Sequence, residues 1–249
     1  MAGRPQPAGR CVEVTTSVGT ARVYVAAAAD PRATLVLGTG ASGNVEAVDL
    51  SLLPRQLPSR GVSVVRVEQP WHVAGGKMAS RPPVLDAGWR DVLVALCRAP
   101  TFAGLAAADR PLYVGGRSNG ARVACRTAAA TGAVGPPPVG VVCFAFPLHP
   151  PGRPGQTRLP ELLAADVPRL VFQGERDAFG TAEQLVVELA GAPGVQVQPV
   201  PFADHSMRTA KAAPYTATDV AELLIHRTLA FCTAPVPDAD PRNRAAPEE

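Results

Sequence analysis

The chain alternates between short runs of apolar residues and longer segments in which apolar residues recur every three or four positions. The first pattern is typical of buried strands and the second of amphipathic helices. The strands are predicted over residues 12–16, 21–26, 34–37, 62–67, 112–115, 139–144, 169–172 and 195–200. The helices are predicted over residues 45–57, 84–98, 121–131, 159–164, 181–189 and 216–231. The clearest apolar helix face is formed by Leu85, Trp89, Leu93 and Leu96.

The order of these elements predicts the fold class. The first two strands flank Gly19, and we expect them to pair as an antiparallel hairpin at a sheet edge. Strands and helices alternate from residue 34 onward, which favours a mainly parallel sheet with helices on both faces. Only about two dozen residues separate the strands 139–144 and 169–172. Because this stretch is so short, the sequence predicts an α/β fold without a large cap domain.

Composition and charge narrow the possible functions. The net charge is +3 over 249 residues, without the concentrated basic face of a nucleic-acid-binding protein. No apolar run reaches the ~18 residues of a membrane-spanning helix, and residues 1–10 lack the hydrophobic stretch of a secretory signal. We therefore expect a cytoplasmic protein that binds neither nucleic acid nor membrane. Its α/β domain is predicted over 11–232, between a disordered lead (1–10) and a disordered Pro-rich tail (233–249).

The five cysteines do not suggest a metal site. None of them forms a C-x-x-C pair, so we expect neither zinc nor another metal. Cys97, Cys125 and Cys143 lie in apolar surroundings, where small core residues are expected. A thiol nucleophile at Cys125 is a weaker alternative, because an apolar helix does not activate a thiol.

The residues that follow the predicted strand 112–115 are the first candidate for catalysis. Residues 116–120 read Gly-Arg-Ser-Asn-Gly and fit G-x-S-x-G, with a predicted helix directly after them. A serine on a sharp turn between a strand and a helix is a nucleophile elbow, and small residues on either side relieve crowding there. The alternative is an ordinary glycine-rich turn. The pattern predicts Ser118 as a nucleophile.

Two further residues supply the groups that a serine nucleophile needs. Asp177 and His205 each follow a predicted strand, and they come in the order Ser, Asp, His, which is the order expected in this architecture. We predict His205 as the base and Asp177 as the acid that orients it. The alternatives are that Asp177 is a turn residue and that His205 lies on a surface loop. His149 is the next candidate for the base.

Acyl transfer also needs backbone N–H groups that point at the developing oxyanion. We predict Asn119, directly after the serine, and Ala41, in the glycine-rich loop 38–44 that follows the strand 34–37. This loop partly fits G-x-G-x-x-G, so a phosphate-binding turn is the alternative. The loop lacks the G-x-x-x-x-G-K pattern of a P-loop, and no acidic residue clearly ends a second strand about 20 positions further on.

These motifs together resemble the α/β-hydrolase superfamily. More narrowly, the chain is similar to small, nearly cap-less α/β-hydrolase-like proteins of bacteria, which have relatives among eukaryotic chromatin-complex subunits and testis-expressed proteins. The resemblance is carried by residues 39–43, 69–71, 81–83, 115–121, 173–180 and 204–206. It implies the α/β-hydrolase fold, with Ser118 as nucleophile, Asp177 as acid and His205 as base. Thr39 departs from the family pattern, because these loops often carry a histidine there.

The predicted function is cleavage of a small carboxylic ester or thioester by a Ser-His-Asp triad, without a metal or cofactor. We expect Thr39, Trp71 and His149 to contribute to the substrate pocket. Trp71 could instead only pack its loop, residues 68–83, on the core. Some relatives serve as scaffolds, so a catalytically silent binding or scaffold protein is the alternative. The sequence does not predict an oligomeric state.

Overall fold

The computed structural model describes residues 7–105, 110–131 and 136–235, apart from the side chains of residues 130 and 131. These residues are organised around one eight-stranded sheet with the strand order β1-β2-β4-β3-β5-β6-β7-β8. Its strands are β1 (Arg10–Thr16), β2 (Gly19–Ala26), β3 (Ala33–Gly38), β4 (Val62–Glu68), β5 (Leu112–Arg117), β6 (Gly140–Phe144), β7 (Arg169–Gly174) and β8 (Val195–Val200). Every strand therefore overlaps one predicted from the apolar runs.

The helices follow the same pattern with one addition. They are α1 (Val48–Gln56), α2 (Pro70–Val73), α3 (Pro82–Arg98), α4 (Asn119–Thr131), α5 (Leu159–Leu163), α6 (Ala182–Glu188) and α7 (Ala217–Thr233). Helix α2 lies in the segment that the sequence predicts as a loop. Pro70 occupies its first turn, where proline is favoured, but four residues are too few for a helical period to be visible. Thr181 caps α6 in a reciprocal capping box with Gln184.

The sheet has the predicted mixture of directions. β1 and β2 form an antiparallel hairpin, and β2 also pairs antiparallel with β4. The pairs from β4 through β3, β5, β6 and β7 to β8 are all parallel. Between β6 and β7 the chain contains only the five-residue helix α5 and loops, so it has no large cap. The carboxyl ends of the parallel strands meet at one edge of the sheet, where sites of α/β proteins are built.

Helices cover both faces of the sheet. Alternate residues of β3 point in opposite directions: Val36 packs in the same apolar cluster as α3 and α4, and Leu35 and Leu37 pack with α1 and α7. The predicted apolar face of α3 is buried along its length, with Trp89 completely covered. Both faces of the central strands are therefore dry, which explains why their sequences are continuous apolar runs rather than alternating ones.

The ends of the chain and the cysteines complete the fold. The predicted disordered lead (1–10) and tail (233–249) lie mostly outside the described residues, which begin at 7 and end at 235. Within them, β1 begins at Arg10 and α7 ends at Thr233. Cys125 and Cys143 are core residues with their sulfur atoms 3.6 Å apart, whereas Cys97 is only partly buried. Within the described ranges, every helix is too short or too polar to cross a lipid bilayer.

Candidate active site

Ser118 lies at the turn between β5 and α4, and its backbone has a positive φ of 51°. This conformation is strained for a residue other than glycine. The two glycines of the motif are required by close packing against Gly38, at the end of β3. A Cβ atom at Gly116 would lie 2.5 Å from the carbonyl oxygen of Gly38, and one at Gly120 would overlap the same oxygen. The G-x-S-x-G pattern therefore reflects contact between two backbones.

Asp177 lies in the loop after β7 and is almost completely buried. Its carboxylate accepts a hydrogen bond from the side-chain amide of Gln173 at 3.0 Å and one from the backbone N–H of Phe179 at 2.8 Å. A third partner is the imidazole of His205, whose Nδ1 lies 2.8 Å from Oδ2. Three partners compensate the carboxylate for its loss of water.

His205, in the loop after β8, bridges Asp177 and Ser118. Its Nε2 lies 3.0 Å from Oγ of Ser118. A carboxylate only accepts hydrogen bonds, so Nδ1 of the neutral ring donates to Asp177 and Nε2 accepts from the serine hydroxyl. The ring also packs edge-on against Phe179, with the centroids 4.4 Å apart. The structure thus brings the three predicted catalytic residues into one hydrogen-bonded row.

Arg117 connects this row to a buried carboxylate that the sequence did not reveal. Its Nη2 donates to the backbone carbonyl oxygen of His205 at 2.6 Å, and its Nε lies 2.9 Å from Oδ2 of Asp49. Asp49 is completely buried on α1, and this burial raises the pKa of its carboxyl to about 6 although the charge of Arg117 opposes the shift. Asp49 lies among Leu50 and Leu53 on the buried face of the helix, and an acid at such a position is the signal that could have found it.

The two predicted oxyanion donors line the same cavity as Ser118 and belong to different segments of the chain. Asn119 is the first residue of α4, where backbone N–H groups have no partner inside the helix. Ala41 belongs to the facing turn, which is closed by a hydrogen bond from the N–H of Gly43 to the carbonyl of Gly40 at 3.0 Å. Both residues line a cavity of about 590 Å³, together with Ser118 and His205. The cavity is large enough for a small substrate and opens directly on the serine hydroxyl.

Thr39, within the loop 38–44, is buried and is not among the residues that line the described part of the cavity. Its hydroxyl has no hydrogen-bond partner among the described residues. The carbonyl oxygen of Thr39 is one of the atoms packed closely against Gly120. The backbone of Thr39 therefore helps to shape this region, and contact of its side chain with substrate stays a prediction.

Trp71 and His149 are not among the residues that line the described part of the Ser118 cavity. Trp71, on α2, lines a neighbouring cavity of about 350 Å³ that shares Ser80 and Leu85 with it, and its partly buried ring packs against the core. The ring of His149 faces the carbonyl of Gln156 at 3.2 Å and the carboxylate of Glu188 at 3.6 Å. The role of Trp71 and His149 as substrate-pocket residues therefore stays a prediction.

A group of arginines near the cavity was also missed. Arg122 forms a two-pronged ion pair with Glu161, at 2.9 and 2.7 Å, and Arg126 binds both Glu161 and Asp86. Burial favours a raised pKa for Glu161, but the hydrogen bonds and charges of the two arginines outweigh it and lower the pKa. Arg158 lines the same cavity as Arg122. No cluster of three or more potential metal ligands occurs in the described part of the chain.

Comparisons with known proteins match this architecture. Residues 31–233 fit the sequence model of a family described as alpha/beta hydrolase domain. A lid-less α/β serine hydrolase from Xanthomonas campestris is 18% identical, with a TM-score of 0.68 over 94% of this chain and 100% of that one. Est1E from Butyrivibrio proteoclasticus is 12% identical, with a TM-score of 0.67 over 88% and 97% of the two chains. Esterase 2 from Thermogutta terrifontis is 14% identical, with a TM-score of 0.63 over 94% and 96%. No curated protein sequence matches the chain significantly.

Proposed function

The chain belongs to the α/β-hydrolase family, and from this premise we propose that it is a serine hydrolase that cleaves small carboxylic esters or thioesters. The observation that carries the proposal is the hydrogen-bonded row from Ser118 through His205 to Asp177. Each of the three residues follows a strand of the parallel part of the sheet, so a rigid frame holds them at this spacing. The esterases among the similar structures support the same reaction class.

In the first half of the proposed reaction, Oγ of Ser118 attacks the carbonyl carbon of the ester. Nε2 of His205 takes the hydroxyl proton, and the carbonyl π electrons move to the oxygen to form a tetrahedral oxyanion. Asp177 holds the imidazole in the tautomer that can accept this proton and stabilises the imidazolium that results. The oxyanion then collapses, the bond to the leaving group breaks, and His205 gives its proton to the departing alcohol or thiol.

In the second half, water attacks the acyl group on Ser118. His205 takes a proton from this water and later returns it to Oγ, which releases the carboxylic acid and restores the enzyme. Backbone N–H groups of Asn119 and Ala41 stabilise the oxyanion in both halves, an effect that is worth ~10²–10³ in rate for one donor in comparable enzymes. No metal or cofactor is needed for these steps.

The packing of the loop 38–44 favours an oxyanion role over the alternative of a phosphate-binding turn. Gly40 packs against the elbow, where a Cβ atom would lie 3.7 Å from Cβ of Ser118. Helix α1 does not begin until Val48, so the glycines do not lead directly into a helix N-terminus, as phosphate-binding glycines do.

A fluorophosphonate probe tests the proposal directly, because such probes react with activated serines. The similar esterase 2 from Thermogutta terrifontis is phosphoramylated by tabun. We expect the wild type to be labelled, Ser118→Ala to lose the label, and Ser59→Ala to keep it, since Ser59 is an exposed serine remote from the cavity. Hydrolysis of p-nitrophenyl esters of increasing chain length, measured on the same variants, identifies the accepted acyl size.

The alternative is a binding or scaffold protein that has lost turnover. A wild type that shows the expected circular dichroism but neither labelling nor hydrolysis would favour this alternative and reject the enzyme. Ester hydrolysis that persists in Ser118→Ala but disappears in Cys125→Ala would instead indicate thiol chemistry.

A further inference from the structure

Apart from His205, the charged side chains that line the described part of the Ser118 cavity are all positively charged. Three arginines, Arg117, Arg122 and Arg158, line the cavity. Among the described residues that form its wall, there is no aspartate or glutamate. A cavity whose charged wall groups are all guanidinium groups attracts anions, provided that the charges are not already compensated from behind.

Two of these arginines are compensated. Arg117 lies against the buried carboxylate of Asp49 and donates to the carbonyl of His205. Arg122 directs Nε and Nη2 at the two carboxylate oxygens of Glu161. Since each of these guanidinium groups is already held by a carboxylate, neither is the best candidate for an additional anion.

Arg158 is different. Among the described residues, no carboxylate oxygen lies within 4.0 Å of a guanidinium nitrogen of Arg158, so this arginine forms no ion pair there. Its side chain has one long hydrogen bond, 3.4 Å, to the carbonyl of His149. Burial and the positive charges of Arg122 and Arg126 lower the pKa of Arg158, and the negative charge of Glu161 only partly opposes this shift. A partly buried cation without a directly paired carboxylate is unfavourable, and an anionic ligand would compensate for the lost water and offset the repulsion from Arg122.

We propose that Arg158 binds a carboxylate group of the substrate, so that the preferred substrates are small esters or thioesters that carry a negative charge, such as half-esters of dicarboxylic acids. This inference rests on the proposed function of Ser118. It follows from the position of Arg158 and Ser118 in the wall of one cavity of about 590 Å³, which is of the size that holds a small molecule touching both. A guanidinium group is suited to this role because it binds a carboxylate through two parallel hydrogen bonds.

The test compares matched pairs of esters that differ in one charge. Mono-p-nitrophenyl adipate and p-nitrophenyl methyl adipate place the charge on the acyl side; p-acetoxybenzoate and p-acetoxybenzamide place it on the leaving group. The readout is the charged-to-neutral ratio of kcat/KM, divided by the same ratio for hydrolysis in buffer. For one of the pairs we expect a ratio of about tenfold to a hundredfold in the wild type, the size of one charge-assisted hydrogen bond.

Three variants assign the effect to this side chain. Arg158→Gln should bring the ratio close to one, and Arg158→Lys should retain part of it because the charge is kept. Arg153→Gln, an exposed arginine in the same segment that does not line the cavity, should leave the ratio at the wild-type value. A wild-type ratio near one for both pairs, or a ratio that Arg158→Gln does not change, would overturn the inference.

Failure of the inference is distinguishable from failure of the proposed function. If the neutral esters are cleaved in a Ser118-dependent way but charge gives no preference, the hydrolase stands and the role of Arg158 is rejected. If no ester is cleaved, calorimetric titration with monomethyl adipate decides. Binding to the wild type that is at least tenfold weaker in Arg158→Gln supports the anion site, and equal or undetectable binding rejects it.

Discussion

The two sides of Ser118 are built in different ways. On one side, the side chains of Ser118, His205 and Asp177 are held by directed hydrogen bonds. On the other side, the loop 38–44 is held by close backbone packing of Gly38 against Gly116 and Gly120, while the buried hydroxyl of Thr39 has no partner among the described residues. Side-chain chemistry therefore defines one half of the site and backbone shape defines the other.

The largest effect is expected from removing the base on the hydrogen-bonded side. His205→Ala should lower kcat for p-nitrophenyl esters at least a thousandfold, because the members of a triad act as a unit. His226→Ala is the matched control, since His226 is exposed on α7. A nearly normal rate in His205→Ala would mean that another group accepts the serine proton, and His149 would then be the next residue to replace.

On the packed side, the corresponding substitution is Gly120→Ala. The added Cβ would lie 2.5 Å from the carbonyl carbon of Gly38 and 2.7 Å from the carbonyl oxygen of Thr39, and backbone atoms cannot move aside as a flexible side chain can. We expect a loss of about 1–3 kcal/mol in the free energy of unfolding, together with a lower kcat as the loop moves away from the elbow. Urea unfolding and ester hydrolysis measure the two effects. Gly155→Ala, which would meet no atom within 4 Å, is the control, and equal stability of the two variants would refute the packing account.

Asp49 pairs with Arg117, which donates to the backbone carbonyl of His205. The burial of Asp49 makes the stability of the fold depend on pH. Because the pKa of Asp49 is raised to about 6, above the ordinary ~3.9, the folded protein holds this proton more tightly than the unfolded chain. The contribution of Asp49 to stability is therefore largest below pH 4 and falls as the pH rises to about 6. We expect the unfolding free energy of the wild type, relative to Asp49→Asn, to fall by roughly 2 kcal/mol between pH 4 and pH 7. Urea titrations at several pH values measure it, and a difference that stays constant or increases would contradict the assignment.

The smallest effect is expected at Thr39. Thr39→Val replaces a buried hydroxyl that has no described partner with a methyl group of the same shape, so stability should be unchanged or rise by up to about 1 kcal/mol. Thr34→Val is the matched comparison, because the buried hydroxyl of Thr34 donates to the carbonyl of Leu105. That variant should lose about 1–2 kcal/mol. If urea midpoints show that Thr39→Val is the more damaging of the two, the hydroxyl of Thr39 has a role that packing does not explain.

The same contrast explains what could be predicted from the sequence. The strands could be predicted because both faces of the central sheet are buried, which makes their sequences continuous apolar runs. Ser118, Asp177 and His205 could be proposed as a group because their order along the chain is characteristic. The direction of a loop side chain has no such signature, so the sequence does not reveal that Trp71 lines a neighbouring cavity, which shares Ser80 and Leu85 with the cavity of Ser118. Arg153 and Arg158 are equivalent in the sequence, and only the fold places Arg158 in the cavity wall and Arg153 in solvent.

The position of β8 at the edge of the sheet has a consequence for how the protein folds and unfolds. Ser118 and His205 are 87 positions apart. Among the described strands β8 pairs only with β7, so the strand that precedes the proposed base is held by one neighbouring strand. Edge elements open at a lower free energy than the centre of a domain, and long-range contacts form late in folding. A chain still being synthesised is therefore catalytically inert until its last strand docks. In rising denaturant, activity should disappear while the central strands still protect their amides from hydrogen exchange.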